Sequence, residues 1–274
     1  MKTWFITGIS RGLGLALAKA ALARGDTVIG TVREGRPNID DASGRLHILS
    51  LDMGDGKAAI ETAIKTAFTL SKRIDVVVNN AGFGLLGAIE NATDEELTQL
   101  FAVNVFGPIK VIRAALPYLR TQGSGHIINV TSVAGRAPMA GSGTYAATKS
   151  ALEGLSQSLA HEVAPLGIRV TAVAPGAFRT DFLSSHSIRK SPAAPKDYAT
   201  TAANTVSTLE KMDGKQAGDP ERAATALLKL VDSDHPPRQL LLGSDALRRA
   251  RERLDATIEE MDEWEAVTLS TDYA

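Results

Sequence analysis

Short apolar runs alternate along the chain with longer stretches in which apolar side chains recur every three or four residues. The runs predict strands at 3–7, 27–32, 46–51, 74–79, 126–131, 168–174 and 238–242. The longer stretches predict helices at 13–23, 58–70, 95–119, 144–163 and 220–230. Strands alternating with helices build βαβ units, hence a doubly wound parallel α/β sheet of seven strands with helices on both faces. The runs Val76-Val77-Val78 and Ile127-Ile128-Asn129-Val130 are almost continuously apolar, as strands covered on both faces must be. The alternation continues without linker or repeat, which predicts a single domain over 1–243.

Two stretches depart from the rhythm. Residues 177–218 hold two prolines, many Ser, Thr and Ala, and little periodicity. An irregular stretch of that length following a strand end is expected to act as a lid over a ligand. The tail, 244–274, places Leu247, Ala250, Leu254, Ile258 and Met261 at spacings of 3, 4, 4 and 3. This is an amphipathic helix, expected to pack on its own domain or on a partner subunit of a homo-oligomer, dimer or tetramer.

Composition narrows the class. Of 274 residues, 44% are hydrophobic and 22% charged, ample for a folded core. Thirty Lys+Arg against 31 Asp+Glu leave a net charge of −1, without the basic excess of a nucleic-acid binder. Cysteine is absent, which removes disulfides, thiolate nucleophiles and Cys-ligated zinc. No uninterrupted run of apolar residues has the length of a membrane span. The first residues turn Gly-rich too early for a signal peptide, so a cytoplasmic location is expected. The five histidines are scattered, without metal-ligand spacing, and no metal is expected.

After the first predicted strand comes Thr7-Gly8-Ile9-Ser10-Arg11-Gly12-Leu13-Gly14, which opens directly into a helix. Glycines let the backbone approach a pyrophosphate, and a helix N-terminus offers free N–H groups and a positive dipole. The loop therefore predicts a dinucleotide site and a Rossmann-type fold. The acidic residue that would hold a ribose 2′-hydroxyl is missing, and Arg33 stands at the end of the second strand instead. Arg33 and Arg11 suit a 2′-phosphate, so the expected cofactor is NADP(H).

Ser132 ends the fifth strand, and Tyr145 and Lys149 follow four residues apart, on one helix face. A tyrosine with a pKa near ~10 exchanges protons poorly at neutral pH. An ammonium at ~4 Å and an effective dielectric of about 20 favours the phenolate by about 4 kcal/mol, or roughly three pK units. Tyr145 is thus expected to act as general acid or base, and Ser132 to hold a substrate oxygen.

These residues resemble the classical short-chain dehydrogenase/reductase family. The matches run in order: Thr7-Gly8-x-x-x-Gly12-x-Gly14, Asp52, Asn79-Asn80-Ala81-Gly82, Asn104, Ser132, Tyr145-x-x-x-Lys149, and Pro175-Gly176 with Thr180. The resemblance implies a catalytic tetrad of Asn104, Ser132, Tyr145 and Lys149. It also implies that Asp52 and Met53 border the adenine, that Asn80, Ala81 and Gly82 border the adenosine ribose, and that residues from Pro175 through Gly176 and Phe178 to Thr180 hold the nicotinamide. Gly8, Ser10, Arg11, Gly12, Leu13, Gly14 and Arg33 complete the cofactor set, with Lys149 and Tyr145 on the nicotinamide ribose. The tail beyond Leu242-Gly243-Ser244-Asp245 is closer to the hydroxysteroid and retinol dehydrogenase-like branch.

The expected reaction is NADPH-dependent interconversion of a carbonyl and a primary or secondary alcohol on a largely apolar small molecule. Phe83, Val133 and Phe182 are expected to touch that substrate. Two other readings stay open on the sequence: an NADP(H)-binding epimerase or dehydratase of the same family, and a non-catalytic NADP(H)-sensing module.

Overall fold

The computed structural model describes residues 1–184, 186–193 and 195–273. Ser185 and Ala194 of the expected lid, and Ala274 of the tail, lie outside them. Seven strands form one parallel sheet: β1 (Thr3–Ile6), β2 (Thr27–Val32), β3 (Leu46–Ser50), β4 (Val76–Asn79), β6 (Gly125–Val130), β7 (Ile168–Pro175) and β9 (Gln239–Leu242). Their order is β3-β2-β1-β4-β6-β7-β9, so the winding reverses between β1 and β4.

The pleat sorts side chains between two cores. Phe5, Ile29, Val77, Ile127 and Val170 face one side, under α2 (Lys57–Ser71), α4 (Gly107–Gln122) and α5 (Gly143–Val163). Trp4, Val28, Val76, Ile128 and Val173 face the other, under α1 (Gly12–Ala23) and α7 (Pro220–Asp232). The register keeps each layer intact, with Phe5 beside Ile29 and Val77, and Val77 beside Ile127. Because both faces are covered, the central strands are largely apolar, and among their polar exceptions His126 bonds Thr171 and Asn129 bonds Ser156 inside the core.

The single helix expected over 95–119 is three pieces. α3 (Asp94–Phe101) starts at a capping box, in which Thr93 and Glu96 satisfy each other's backbone N–H groups. A wide π turn follows at Ala102–Phe106, and then α4. The continuous helix Asp94–Gln122 contains an 18-residue window of mean hydropathy 1.4, long and apolar enough by composition to cross a membrane. Its apolarity has a local cause, since Val111, Ile112, Ala115 and Leu119 are buried in the sheet's α2-side core.

The 177–218 stretch is more ordered than its sequence suggests. It carries β8 (Ile188–Lys190), which pairs in parallel with β5 (Gly84–Leu86), and α6 (Ala202–Lys211). Its base is closed where Phe178 bridges Gly218, and the Arg179 guanidinium donates to the Gln216 carbonyl at 3.1 Å. The tail forms α8 (Ser244–Glu263) and α9 (Glu265–Leu269).

Candidate active site

The carboxyl ends of β1 and β4 meet where the winding reverses, the usual place for a ligand in an open α/β sheet. At β1 the chain turns through Gly8 and Gly12, both in the left-handed region (φ +73° and +61°). The first α-helical bond of α1 runs from Leu15 N to Arg11 O, so the N–H groups of Gly12, Leu13 and Gly14 lie ahead of it. A Cβ on Gly14 would stand 2.3 Å from the Gly8 carbonyl and 2.4 Å from the Asn80 amide. Asn80 donates from that amide to the Thr7 and Gly8 carbonyls at 2.9 Å each, while the Thr7 hydroxyl accepts from the Asn80 and Ala81 N–H groups. Asn80 and Ala81 are thus the brace that holds the glycine turn open, and Gly82 extends that strand end towards Lys149. Together these features fit a dinucleotide pyrophosphate: a backbone cradle, orphan donors and a helix N-terminus.

Arg33 lies exposed just beyond β2, with no side-chain partner among the described residues. Arg11 is not free in the same way. Its guanidinium donates to the Ser187 hydroxyl at 3.1 Å and to the His186 carbonyl at 2.8 Å, tying the glycine turn to the lid. Thr180 crosses the same turn, its Cβ 3.7 Å from the place a Cβ on Gly12 would take. Ser10 is exposed on this rim. Asp52 follows β3 and accepts from the Gly54 N–H at 2.8 Å, and Met53 is buried against Gly107. Pro175 ends β7, and the Gly176 turn is held by a residue the sequence reading did not single out. Asp245 accepts from the Ala177 N–H at 2.9 Å and lies where any side chain on Gly176 would clash. Phe178 packs into the α1-side core.

Ser132, Tyr145 and Lys149 converge at the end of β6. Lys149 is buried and its ammonium donates to the Val130 carbonyl at 2.9 Å, while its Nζ sits 5.7 Å from the Tyr145 ring centre. Asn104 is buried in the π turn and bonds both backbone groups of Phe83: it donates to the carbonyl at 2.8 Å and accepts from the N–H at 3.1 Å. It also donates to Thr148, the residue before Lys149, at 3.2 Å. The extra residue of the π turn is what aims this amide inward, a common use of π turns.

The electrostatics differ from the expectation built on the Tyr–Lys spacing. Burial desolvates the phenolate and pushes Tyr145 up to about 12, against a smaller opposing effect of the Ser132 hydroxyl. Burial likewise brings Lys149 down to about 8, with the Glu153 carboxylate working the other way. The ammonium donates to Val130 with its Nζ 5.7 Å from the phenol ring centre, and burial is the larger influence on Tyr145.

Spacing also marks Glu153, which the sequence analysis does not single out: Tyr145, Lys149 and Glu153 lie four apart on one face of α5. Its buried carboxylate accepts from the Thr131 hydroxyl and from Arg136, at 3.2 Å from Nε and 3.1 Å from Nη2. Thr131 and Arg136 flank the turn that carries Ser132. Glu153 therefore clamps the serine turn to the helix bearing Tyr145 and Lys149.

Of the expected substrate contacts, Phe182 lies 6.0 Å from Tyr145 between ring centres, in a cluster with Ala134 and Ala146. Phe83 is half-buried, with the Arg189 guanidinium 4.5 Å above its ring. Val133 lies elsewhere, buried with Ala137, Ala246 and Leu241, because the short turn after Ser132 rotates successive side chains apart. Its neighbour Ala134 is the one beside Tyr145. Beyond Phe182, a cavity of about 300 Å³, open to solvent on one side, lies between the lid and β5, lined by Leu86, Leu183, Ile188 and Leu209, with Lys190 and Glu210 also in its lining.

Residues 2–190 match the family model described as short chain dehydrogenase. An oxidoreductase from Botryotinia fuckeliana, BOA17, is 36% identical over 98% of this chain and 99% of its own. The 3-ketodihydrosphingosine reductase of Bacteroides thetaiotaomicron is 34% identical over 87% of this chain and 86% of its own. A crystal structure of a short-chain dehydrogenase from Streptomyces avermitilis superposes with a TM-score of 0.91 at 41% identity, covering 99% of this chain and all of that one.

Proposed function

The chain belongs to the short-chain dehydrogenase family and is an oxidoreductase of that family, and from that premise we propose that it reduces a carbonyl on a largely apolar small molecule with NADPH. The observation that carries this reading is the convergence of Tyr145, Ser132 and Lys149 beside the glycine cradle. A sensing module would not need a buried phenol set against a serine hydroxyl.

The cradle of Gly8, Gly12 and Gly14, braced by Asn80, would hold the pyrophosphate, Arg33 the 2′-phosphate, Asp52 and Met53 the adenine, and Lys149 the nicotinamide ribose. NADPH, when bound, supplies the hydride. The protein's own part is to position the carbonyl and to provide a proton. Ser132 donates to the carbonyl oxygen, and Tyr145 passes its proton to that oxygen as negative charge develops there. With Tyr145 pushed up to about 12, the phenol is protonated throughout the neutral range. That state is loaded for reduction, whereas oxidation must first remove the proton, so alcohol oxidation is expected to gain rate as pH rises.

Lys149 sets the alkaline limit. It is charged below about 8 and loses its proton as pH rises through that value. The kcat/KM for ketone reduction should therefore fall across an alkaline limb centred near pH 8. Glu153→Gln removes the carboxylate that supports the ammonium, so the limb should move to lower pH. A limb unmoved in Glu153→Gln, measured from pH 6 to 10, would show that Glu153 only braces the turn.

The apolar neighbours Phe182, Ala134, Leu183 and Ile188 support an apolar substrate, as does the named ketone substrate of the Bacteroides relative. Among the lid charges, Arg179 is held by the Gln216 carbonyl and Lys190 is paired with Glu210, while Asp181 and Lys196 are read as solvated lid groups. Matched ketones test this: those with an alkyl chain should show higher kcat/KM than those bearing a carboxylate or phosphate. Ligand should also slow proteolysis within 177–218. A preference for the anionic set would overturn the apolar reading.

A further inference from the structure

α8 leaves the body as an arm. Its first turn is anchored, with Ala246 fully buried, Asp245 holding the Ala177 N–H, and Arg249 donating to the Ala137 carbonyl. Beyond that turn the helix stands clear, and it carries large apolar side chains outward: Leu247, Leu254, Ile258 and Met261 are 42%, 60%, 48% and 65% exposed. Among the described residues, the chain's own domain leaves this stripe uncovered. A stripe of this size on an otherwise polar helix marks a contact surface.

Two features of the helix specify what fits it. The first is its charge. Arg248, Arg249, Arg251 and Arg253 lie in the first half with Asp245 and Glu252, and Asp255, Glu259, Glu260, Asp262 and Glu263 occupy the second, which has no basic residue. The macrodipole favours Asp245 in the first turn but disfavours the acids Glu260, Asp262 and Glu263 of the last, where no base stands. The exposed pairs Arg248–Glu252 and Arg253–Glu260 recover little of that cost. The basic and acidic halves offer a charge pattern that a partner of opposite order complements. The second feature is the spacing. The apolar positions 247, 250, 254, 258 and 261 are separated by 3, 4, 4 and 3 residues, which reads the same in both directions.

A palindromic stripe with opposite charge in its two halves is self-complementary when antiparallel. With Leu254 on the two-fold axis, Leu247 meets the partner's Met261 and Ala250 meets the partner's Ile258, small against large. Arg248 then lies beside the partner's Glu260, and Arg253 beside the partner's Asp255. A parallel pair would stack arginine on arginine and acid on acid. We propose that α8 is a homodimerisation arm, which pairs antiparallel with α8 of a second copy across a two-fold axis at Leu254.

The test uses the full chain in sedimentation velocity. Leu254→Glu/Ile258→Glu should halve the mass of the assembly, with the circular-dichroism spectrum unchanged because both positions are exposed. The charge variants Arg248→Glu/Arg253→Glu and Asp255→Lys/Glu260→Lys should each lose the same step alone and regain it when mixed. The chain has no cysteine, so the register can be read directly. Leu254→Cys should oxidise to a linked dimer, and Leu269→Cys, equally exposed but outside the palindrome, should not. The proposal is overturned if the wild type is monomeric, if the Glu variant keeps its mass, if mixing restores nothing, or if both cysteines cross-link alike. It is overturned in favour of a lipid surface if a monomeric wild type instead floats with anionic vesicles through Leu254 and Ile258.

Discussion

Replacing Tyr145 with Phe is expected to keep cofactor binding and lower kcat for ketone reduction by roughly 10²–10⁴-fold, the range for a positioned proton donor. The ring is almost wholly buried, packed with Ala134, Ala146 and Phe182, and Phe fills the same volume without distortion. Only the hydroxyl is lost. Ser132 still donates to the carbonyl, so KM should change much less than kcat. Lys149→Ala is a different kind of change, because it removes a buried ammonium that also anchors to Val130. It should reduce both rate and cofactor affinity. Steady-state kinetics on any good ketone separates the two variants, and a wild-type kcat in Tyr145→Phe would remove the phenol from the mechanism.

The second large effect is on the choice of cofactor. Arg33 is exposed and without a side-chain partner among the described residues, so it is available to a 2′-phosphate at no structural cost. A charge-assisted contact contributes about 1.5–3 kcal/mol, or roughly tenfold to a hundredfold in Kd. Arg33→Asp replaces that contact with repulsion and offers a carboxylate to a ribose hydroxyl, so the preference should shift from NADPH towards NADH. Arg11→Ala should have a smaller effect, because Arg11 already holds Ser187 and His186 and must release them to reach a phosphate. Fluorescence titration with both cofactors reads this; equal wild-type affinities would contradict the assignment.

What the sequence made legible follows from how many residues each feature spans. The seven sheet strands and the helices α1, α2, α5 and α7 come from runs whose periodicity repeats for several turns or pleats. The π turn at Ala102–Phe106 does not, since one inserted residue shifts the phase without changing the apolar content. β5 and β8 are three residues each, too short for alternation to register, and they exist only because the lid folds back on them. α6 is built from Ala, Thr and Ser with few apolar anchors, so its propensity was hidden within a stretch read as irregular. At the site, the residues proposed to do chemistry are marked by family motifs. Those that hold them are not: Asp245 and Glu153 act across contacts distant in sequence, or on a helix face whose neighbours were unknown. The direction of the Tyr145 shift was likewise invisible, because spacing reports that a lysine is near while burial decides which effect wins.

Turnover of NADPH against a carbonyl, rather than binding alone, is read by following NADPH loss and alcohol formation together, with the wild-type chain and a panel of apolar ketones at pH 7. At least one ketone should be reduced with one NADPH consumed per alcohol formed, and Tyr145→Phe should abolish most of that turnover. NADPH bound tightly and left unoxidised by every ketone in the panel would contradict the proposed reduction.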